Sequence, residues 1–270
     1  MLDVTFEKRD YLHPVPNDKY QNLNPYIIAT TQRSGSTLLC EILLQTGICG
    51  QPGEYLSSSF IKRNKELDDF TKGKPFSRDL DQYISNVFGH YHLGNGTSGI
   101  KITWDQMLKI ENDLSLPFYK KKSIKSSFKH FFKSSKIIFL TRGNTISQAI
   151  SKYIATENNK WHQWDTPTRK GDIEFCKDSI LKISSEIKEH NEGWLSLLTN
   201  LKLKYIHLTY EELCINTEDV VQKILKFLHS QDFCFKNSLS TLTKPLDSEI
   251  KLNFENEFRK LIKHPSINIK

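Results

Sequence analysis

Between Tyr26 and Gly47 the residue pattern changes period twice, and no other stretch limits the possible folds as tightly. Tyr26-Ile27-Ile28-Ala29 is an apolar run of the length of a buried strand. Thr30 to Ser36 is a polar loop with one glycine. From Ser36 onward Leu38, Leu39, Ile42 and Leu43 recur at helical spacing, and Gly47 closes the helix. A strand running through a short polar loop into a helix is the opening of an α/β domain. It is also a physical site for an anion: the first backbone N–H groups of a helix lack internal partners, and the helix dipole adds positive charge. Gly35 lets backbone approach an anion closely or turn with positive φ. Ser34, Ser36 and Thr37 offer hydroxyls beside Gln32, and Arg33 offers a forked cation. The loop suits a phosphate or sulfate ester; the plainer reading is a capped helix with a Ser/Thr-rich start. It is not a Walker A loop, because the Gly-x-x-x-x-Gly-Lys-Ser/Thr pattern is missing.

The pattern returns farther on. Lys136 to Thr141 reads as a buried strand, Arg142-Gly143-Asn144 ends it, and Thr145 to about Glu157 reads as a helix with Ile146, Ala149, Ile150 and Tyr153 on one face. Ser147 and Ser151 lie in that helix. Ligands of open α/β sheets bind beyond the carboxyl ends of the strands, so Arg142 belongs at the same edge as the first loop. Two such ends fit a ligand with two separated phosphate groups. Gly99 to Trp104 reads as a strand carrying Lys101, which is either paired or anion-binding if inward, or simply solvent-facing at a strand end. Lys204 to Thr209 reads as a third sheet strand beyond the first loop's own. Further helices are expected over Arg78–Phe88, Asp105–Leu114, 172–200, Val220–Leu228 and Glu249–Lys263. Glu54 follows the turn residues Gly50-Gln51-Pro52-Gly53, where spacing alone favours a solvated loop charge over a positioned acid or base. The expected organisation is an N-terminal extension, residues 1–24, and one α/β domain, residues 25–270.

Bulk properties exclude several classes. The chain has 270 residues and a formal net charge of +7, which favours anionic ligands. Five cysteines, at 40, 49, 176, 214 and 234, form no Cys-x-x-Cys pair, so neither a disulfide framework nor a zinc site is expected. The first 24 residues do not read as a signal peptide, and no run approaches the roughly 18 to 20 apolar residues that span a bilayer. A cytoplasmic protein without stable membrane insertion is expected. The basic, Phe-bearing stretch 118–136 reads as a solvated face; no nucleic-acid motif accompanies it, and no nucleic-acid partner is expected. His90-Tyr91-His92 lacks acidic or cysteine partners at useful spacing, so no metal site is expected. Trp161, His162 and Trp164 either stack on a base or sugar or simply pack.

Taken in order, several blocks resemble the bacterial trehalose 2-sulfotransferase family, also described as lipopolysaccharide or glycolipid sulfotransferases. They are Gln32 to Leu39, Thr46 to Tyr55, Gly99 to Trp104, Arg142 through Ser147 to Ser151, Asn191 to Trp194 and Leu208 to Glu211. The resemblance implies a three-layer, P-loop-like α/β sulfotransferase fold with a central parallel sheet, and 3′-phosphoadenosine 5′-phosphosulfate (PAPS) as sulfuryl donor, leaving 3′-phosphoadenosine 5′-phosphate (PAP). It implies that Gln32, Arg33, Ser34, Gly35, Ser36 and Thr37 hold the 5′-phosphosulfate. Arg142, with Ser147 or Ser151, would hold the 3′-phosphate. The usual Arg-to-Ser spacing is one residue shorter than Arg142 to Ser151. By the same likeness Glu54 is the catalytic base, assisted by Arg33, and this reverses the reading of Glu54 from spacing. Gln51, Glu54 and Lys101 become the acceptor-side candidates. Gln51 replaces a glutamate that contacts the sugar in trehalose-specific members, so the implied acceptor is a carbohydrate or glycolipid without trehalose being singled out. A homodimer is implied as well. No magnesium ligand stands out in the sequence. The rival readings are a P-loop-like nucleotide kinase or NTPase, against which the missing Gly-Lys-Ser/Thr counts, and a non-catalytic nucleotide-binding module.

Overall fold

A computed structural model describes residues 23–62, 65, 77, 79–92, 96–112, 135–161, 172–229 and 248–263. Its centre is a sheet of four parallel strands, β1 (Asn24–Thr30), β2 (Thr97–Thr103), β3 (Lys136–Thr141) and β4 (Tyr205–Thr209), in the order β2-β1-β3-β4. Strands covered on both faces read as continuous apolar runs rather than alternating ones. Ile27, Ile28 and Ala29 of β1 and Ile137, Ile138 and Leu140 of β3 are accordingly all fully buried.

Successive side chains of a strand point to opposite faces, and this sorts the core into two layers. Ile27, Ala29, Ile100, Ile102, Ile137 and Phe139 pack against α2 (Leu80–His90), α3 (Trp104–Asn112) and the end of α5 (Lys177–Asn200). Tyr26, Ile28, Ile138, Leu140 and Leu208 pack against α1 (Ser36–Gln45) and α7 (Thr217–His229). A third cluster joins α4 (Thr145–Asn158), α5 and α8 (Ser248–Lys263) through Ile150, Tyr153, Ile180, Ile187, Phe254 and Phe258. Short α6 (Tyr210–Ile215) follows β4 directly.

The chain leaves β1 toward β2 on one side, and leaves β3 toward β4 on the other. The crevice at the carboxyl ends of β1 and β3 is therefore the topological switch point, where open α/β sheets bind ligands. Register brings these ends level: Thr30 lies beside both Thr103 and Leu140, and Thr141 beside Thr209. All four strands thus end on threonine, a residue that keeps strand geometry yet has a hydroxyl to bond the loop that follows.

Several boundaries differ by a few residues from the sequence expectation, and three of them bear on the site or its layers. Trp104 begins α3 instead of ending β2, because Thr103 and Gln106 cap one another: Thr103 N donates to Gln106 Oε1 at 3.0 Å, and Gln106 N to Thr103 Oγ1 at 3.4 Å. Gly193 makes room for the Trp104 ring, since a Cβ there would lie 2.5 Å from it. Helix α5 starts at Lys177, with Cys176 extended before it, and Lys204 precedes β4. Residues 1–22, most of the basic stretch 118–136, His162 and Trp164 lie outside the described residues.

Candidate active site

The loop after β1 is braced from within. Thr30 Oγ1 donates to Leu140 O at 2.8 Å, and the fully buried Ser34 places Oγ 2.5 Å from the same Thr30 hydroxyl. Gln148 of α4 reaches across, its Nε2 donating to Thr31 Oγ1 at 2.9 Å and Gln32 O at 2.7 Å. Held this way, the loop turns with positive φ at Arg33 (64°) and Gly35 (88°). A non-glycine residue in that region is uncommon and persists only where its surroundings impose it. Gly35 is the N-cap of α1 and provides no side-chain cap. The backbone donors of the first turn are thus left to whatever lies in the crevice.

The two sequence-predicted arginines converge here. Arg33 Nε donates to Ser151 Oγ at 3.1 Å and its Nη1 to Trp161 O at 2.8 Å. Arg142 Nη2 donates to Ser147 Oγ at 2.8 Å, its Nη1 makes a long 3.4 Å bond to Arg33 O, and its guanidinium lies 4.5 Å above the Tyr210 ring. Each serine therefore serves a different arginine. Arg142 Nε is buried with no hydrogen-bond partner, a donor left over in an otherwise satisfied group. Tyr210 also closes against the loop: a Cβ on Gly35 would lie 2.3 Å from its ring. Glu211 fixes the turn after β3, accepting from Gly143 N at 2.9 Å and Asn144 N at 3.2 Å. Burial pushes the Glu211 carboxyl up, but these amide bonds together with Arg142 outweigh that and hold it below the usual carboxylate range.

A second group lies toward β2. Lys101 N donates to Gly53 O at 2.8 Å, which ties the Gly50–Glu54 segment to the sheet. The Lys101 side chain points inward, the residue being 4 % exposed, and its ammonium lies 2.5 Å from Glu54 Oε1 and donates to Thr37 Oγ1 at 3.2 Å. Burial works to lower the Lys101 pKa, but the charge and hydrogen bond of Glu54 prevail, so it stands above the ordinary lysine value. Gln106 Nε2 donates to Glu54 Oε2 at 3.2 Å. Both carboxylate oxygens are thus oriented, while a third of the Glu54 side chain, 34 %, stays open. Gln51 is buried in the same segment, its N donating to Tyr91 O at 2.8 Å and its carbonyl accepting from Tyr55 Oη at 2.6 Å. Among the described residues no cluster of His, Cys, Asp or Glu is placed to hold a metal ion, and no helix is long and apolar enough to cross a membrane.

Sequence reasoning passed over Gln106, Gln148, Tyr210 and Glu211 as working parts. For Gln106 a signal existed: Thr103-x-x-Gln106 has capping-box spacing, which fixes the amide whose other end meets Glu54. Tyr210 and Glu211 fall in a block already singled out, yet nothing local tells that they face residues 35 and 143.

A parallel sheet whose switch point holds two arginines and an uncapped helix start is an α/β architecture with a crevice suited to an anionic ligand. The Stf0 sulphotransferase family model matches residues 25–260, and the chain belongs to that family. It is a sulfotransferase. It is 27 % identical over 222 residues to the trehalose 2-sulfotransferase of Mycolicibacterium smegmatis, covering 75 % of this chain and 83 % of that one. To the trehalose 2-sulfotransferase of Mycobacterium tuberculosis it is 23 % identical with the same coverage. Among solved structures it is similar to a sulfotransferase from Alicyclobacillus acidocaldarius, at 16 % identity and a TM-score of 0.47 over 90 % of this chain and 96 % of that one.

Proposed function

We propose that the chain transfers the sulfuryl group of PAPS to a hydroxyl of a carbohydrate or glycolipid, with Glu54 as general base. The observation that carries this reading is the placement of Lys101, whose one ammonium touches both the Glu54 carboxylate and Thr37 of the anion loop. A base and an anion site share a cation, which sets the two ends of an in-line transfer close together. The names of the curated relatives support a sugar acceptor.

The residues fit the donor. The N–H groups from Ser34 to Thr37, with the hydroxyls of Ser36 and Thr37, Gln32 and the Arg33 guanidinium, take the 5′-phosphosulfate. Arg142 and Ser147 take the 3′-phosphate, with the unpartnered Arg142 Nε as the donor in waiting and Ser151 holding Arg33 beside it. Gln51 and Glu54 form the acceptor side. In the reaction the acceptor oxygen bonds to sulfur as the bond from sulfur to the 5′-phosphate oxygen breaks, and PAP departs. The hydroxyl proton passes to the Glu54 carboxylate. In the resting site Lys101 is balanced by Glu54. Once Glu54 takes the proton, that balance is lost and the ammonium, already on Thr37, faces the charge building on the leaving phosphate. Preorganised donors of this kind contribute roughly 3 kcal/mol each to the transition state, and a positioned base about 10² to 10⁴-fold in rate.

Two measurements test the reading. PAP at 100 times its dissociation constant is expected to stabilise the protein by roughly 2.7 kcal/mol, seen as a thermal shift absent with ADP or ATP–magnesium. Glu54→Gln is expected to retain that shift while turnover falls at least about 100-fold. A shift with ATP–magnesium alone would favour the kinase reading, and undiminished turnover in Glu54→Gln would remove Glu54 from the chemistry.

A further inference from the structure

Helix α8 places two charges on the face it buries. Lys251, Phe254, Glu255 and Phe258 recur at i, i+3, i+4 and i+7, one stripe of a helix. Phe254 and Phe258 are buried in the cluster with α4 and α5, which fixes the stripe against the helix that carries Ser147 and Ser151. The Lys251 and Glu255 side chains, each 19 % exposed, are drawn in with them, 3.5 Å apart. Charges on a packed stripe are costly unless something there needs them.

What they meet is the Arg142–Ser147 pair. Ser147 Oγ accepts from Arg142 Nη2 at 2.8 Å and donates to Glu255 Oε1 at 2.6 Å, so an anionic oxygen already stands next to the serine. Burial lowers the Lys251 pKa, and the nearby charges of Arg142 and Arg33 lower it further, while Glu255 works the other way. Its 3.5 Å contact with the same Glu255 oxygen that Ser147 meets is what places Lys251 beside the Arg142–Ser147 pair. Arg259, largely exposed, adds a distant contact to Glu255 at 3.8 Å. A carboxylate held by the Ser147 hydroxyl and Lys251, and joined to Arg142 through that same serine, stands as an anion surrogate.

We propose that α8 completes the nucleotide site, with Lys251 as a ligand of the 3′-phosphate and Glu255 as an internal carboxylate that occupies the phosphate position until the nucleotide displaces it. This rests on the PAPS reading above. A phosphate at Arg142 and Ser147 would stand against Glu255 charge to charge, so the two cannot share the position. When Glu255 turns away, it releases Ser147 and frees Lys251, one helical turn earlier, for the incoming phosphate. The carboxylate keeps the empty site assembled but competes with the ligand that fills it.

Equilibrium binding of PAP and of AMP, which lacks the 3′-phosphate, separates this from a merely structural ion pair. Glu255→Gln is expected to bind PAP several-fold tighter and AMP as the parent does. Lys251→Met, which keeps the aliphatic stem, is expected to bind PAP about 10- to 100-fold more weakly, the size of one charge-assisted hydrogen bond, again with AMP unchanged. Lys260→Met removes the same charge from the exposed side of α8 and is expected to change neither. AMP binding also reports that each variant is folded. Weaker or unchanged PAP binding in Glu255→Gln would overturn the displacement. Equal losses for PAP and AMP in Lys251→Met, or a loss in Lys260→Met as large, would overturn Lys251 as a phosphate ligand. A parent protein that does not prefer PAP to AMP would overturn the donor reading itself, whatever the variants do.

Discussion

Gly35, Tyr210 and Arg142 form a stack in which each member fixes the next. The ring of Tyr210 fills the volume where a Cβ on residue 35 would sit, and the Arg142 guanidinium lies over that ring. A loop glycine, a strand-end arginine and a tyrosine from another strand end thus act as one unit, with cation–π contact worth about 0.5 to 2 kcal/mol joining two of them. Gly35→Ala meets both obstacles at once, a φ of 88° and the tyrosine ring. It is expected to lower stability by about 1 to 3 kcal/mol in denaturant titration, and to weaken PAP binding more than AMP binding because Arg142 moves with the ring. In the sequence Gly35 is legible as a place of positive φ or close approach. Tyr210 is not, because a ring filling a missing side chain's volume leaves no periodicity behind.

At the scale of elements the sheet edge is a row of helix starts tied to one another. Thr209 and Glu212 form a capping box at α6, Thr103 and Gln106 one at α3, and Asn144 caps α4 through Ser147 N at 2.9 Å. Glu211 then joins the α6 start to the turn before α4. Because its folded pKa is depressed, Glu211 stabilises the fold above its unfolded value near pH 4.3, and that contribution is lost as pH falls through the lower folded value. Melting curves of the parent and of Glu211→Gln are expected to differ most near neutral pH and to converge as pH falls through the depressed folded value. A pH-independent difference would mean the carboxylate charge plays no part. Strands and helices are largely legible here, since buried parallel strands and amphipathic helices carry strong patterns. Lys101 shows the limit: a lysine in a strand reads equally as inward or outward, and only the arrival of Glu54 from a separate loop settles that it is buried and paired.

Over the whole molecule Trp194 couples the α5 layer to the site. It is fully buried, stands edge-on to Trp104 with centroids 5.2 Å apart, and donates Nε1 to Thr30 O at 2.7 Å, at the very end of β1. Trp194→Phe removes that donor, strands a buried carbonyl and leaves a void. Together these are expected to cost about 2 to 4 kcal/mol in denaturant unfolding. A cost under 1 kcal/mol would mean that water replaces the indole N–H. The block Asn191 to Trp194 is visible in the sequence, but its target is not, because a helix pattern names the apolar face and not the backbone atom it meets.

The pairing of β1 with β3 bears on how this protein is born. The bond from Thr30 to Leu140 spans 110 residues of chain, and a ribosome adding roughly 5 to 20 residues per second needs about 5 to 20 s to cover them. Through that interval β1, wholly apolar at its centre, has one edge without its neighbour, and exposed strand edges invite association with other chains. Translation speed and chaperone supply over this window, more than the stability of the finished sheet, should therefore set how much of the protein reaches the soluble fraction on overexpression.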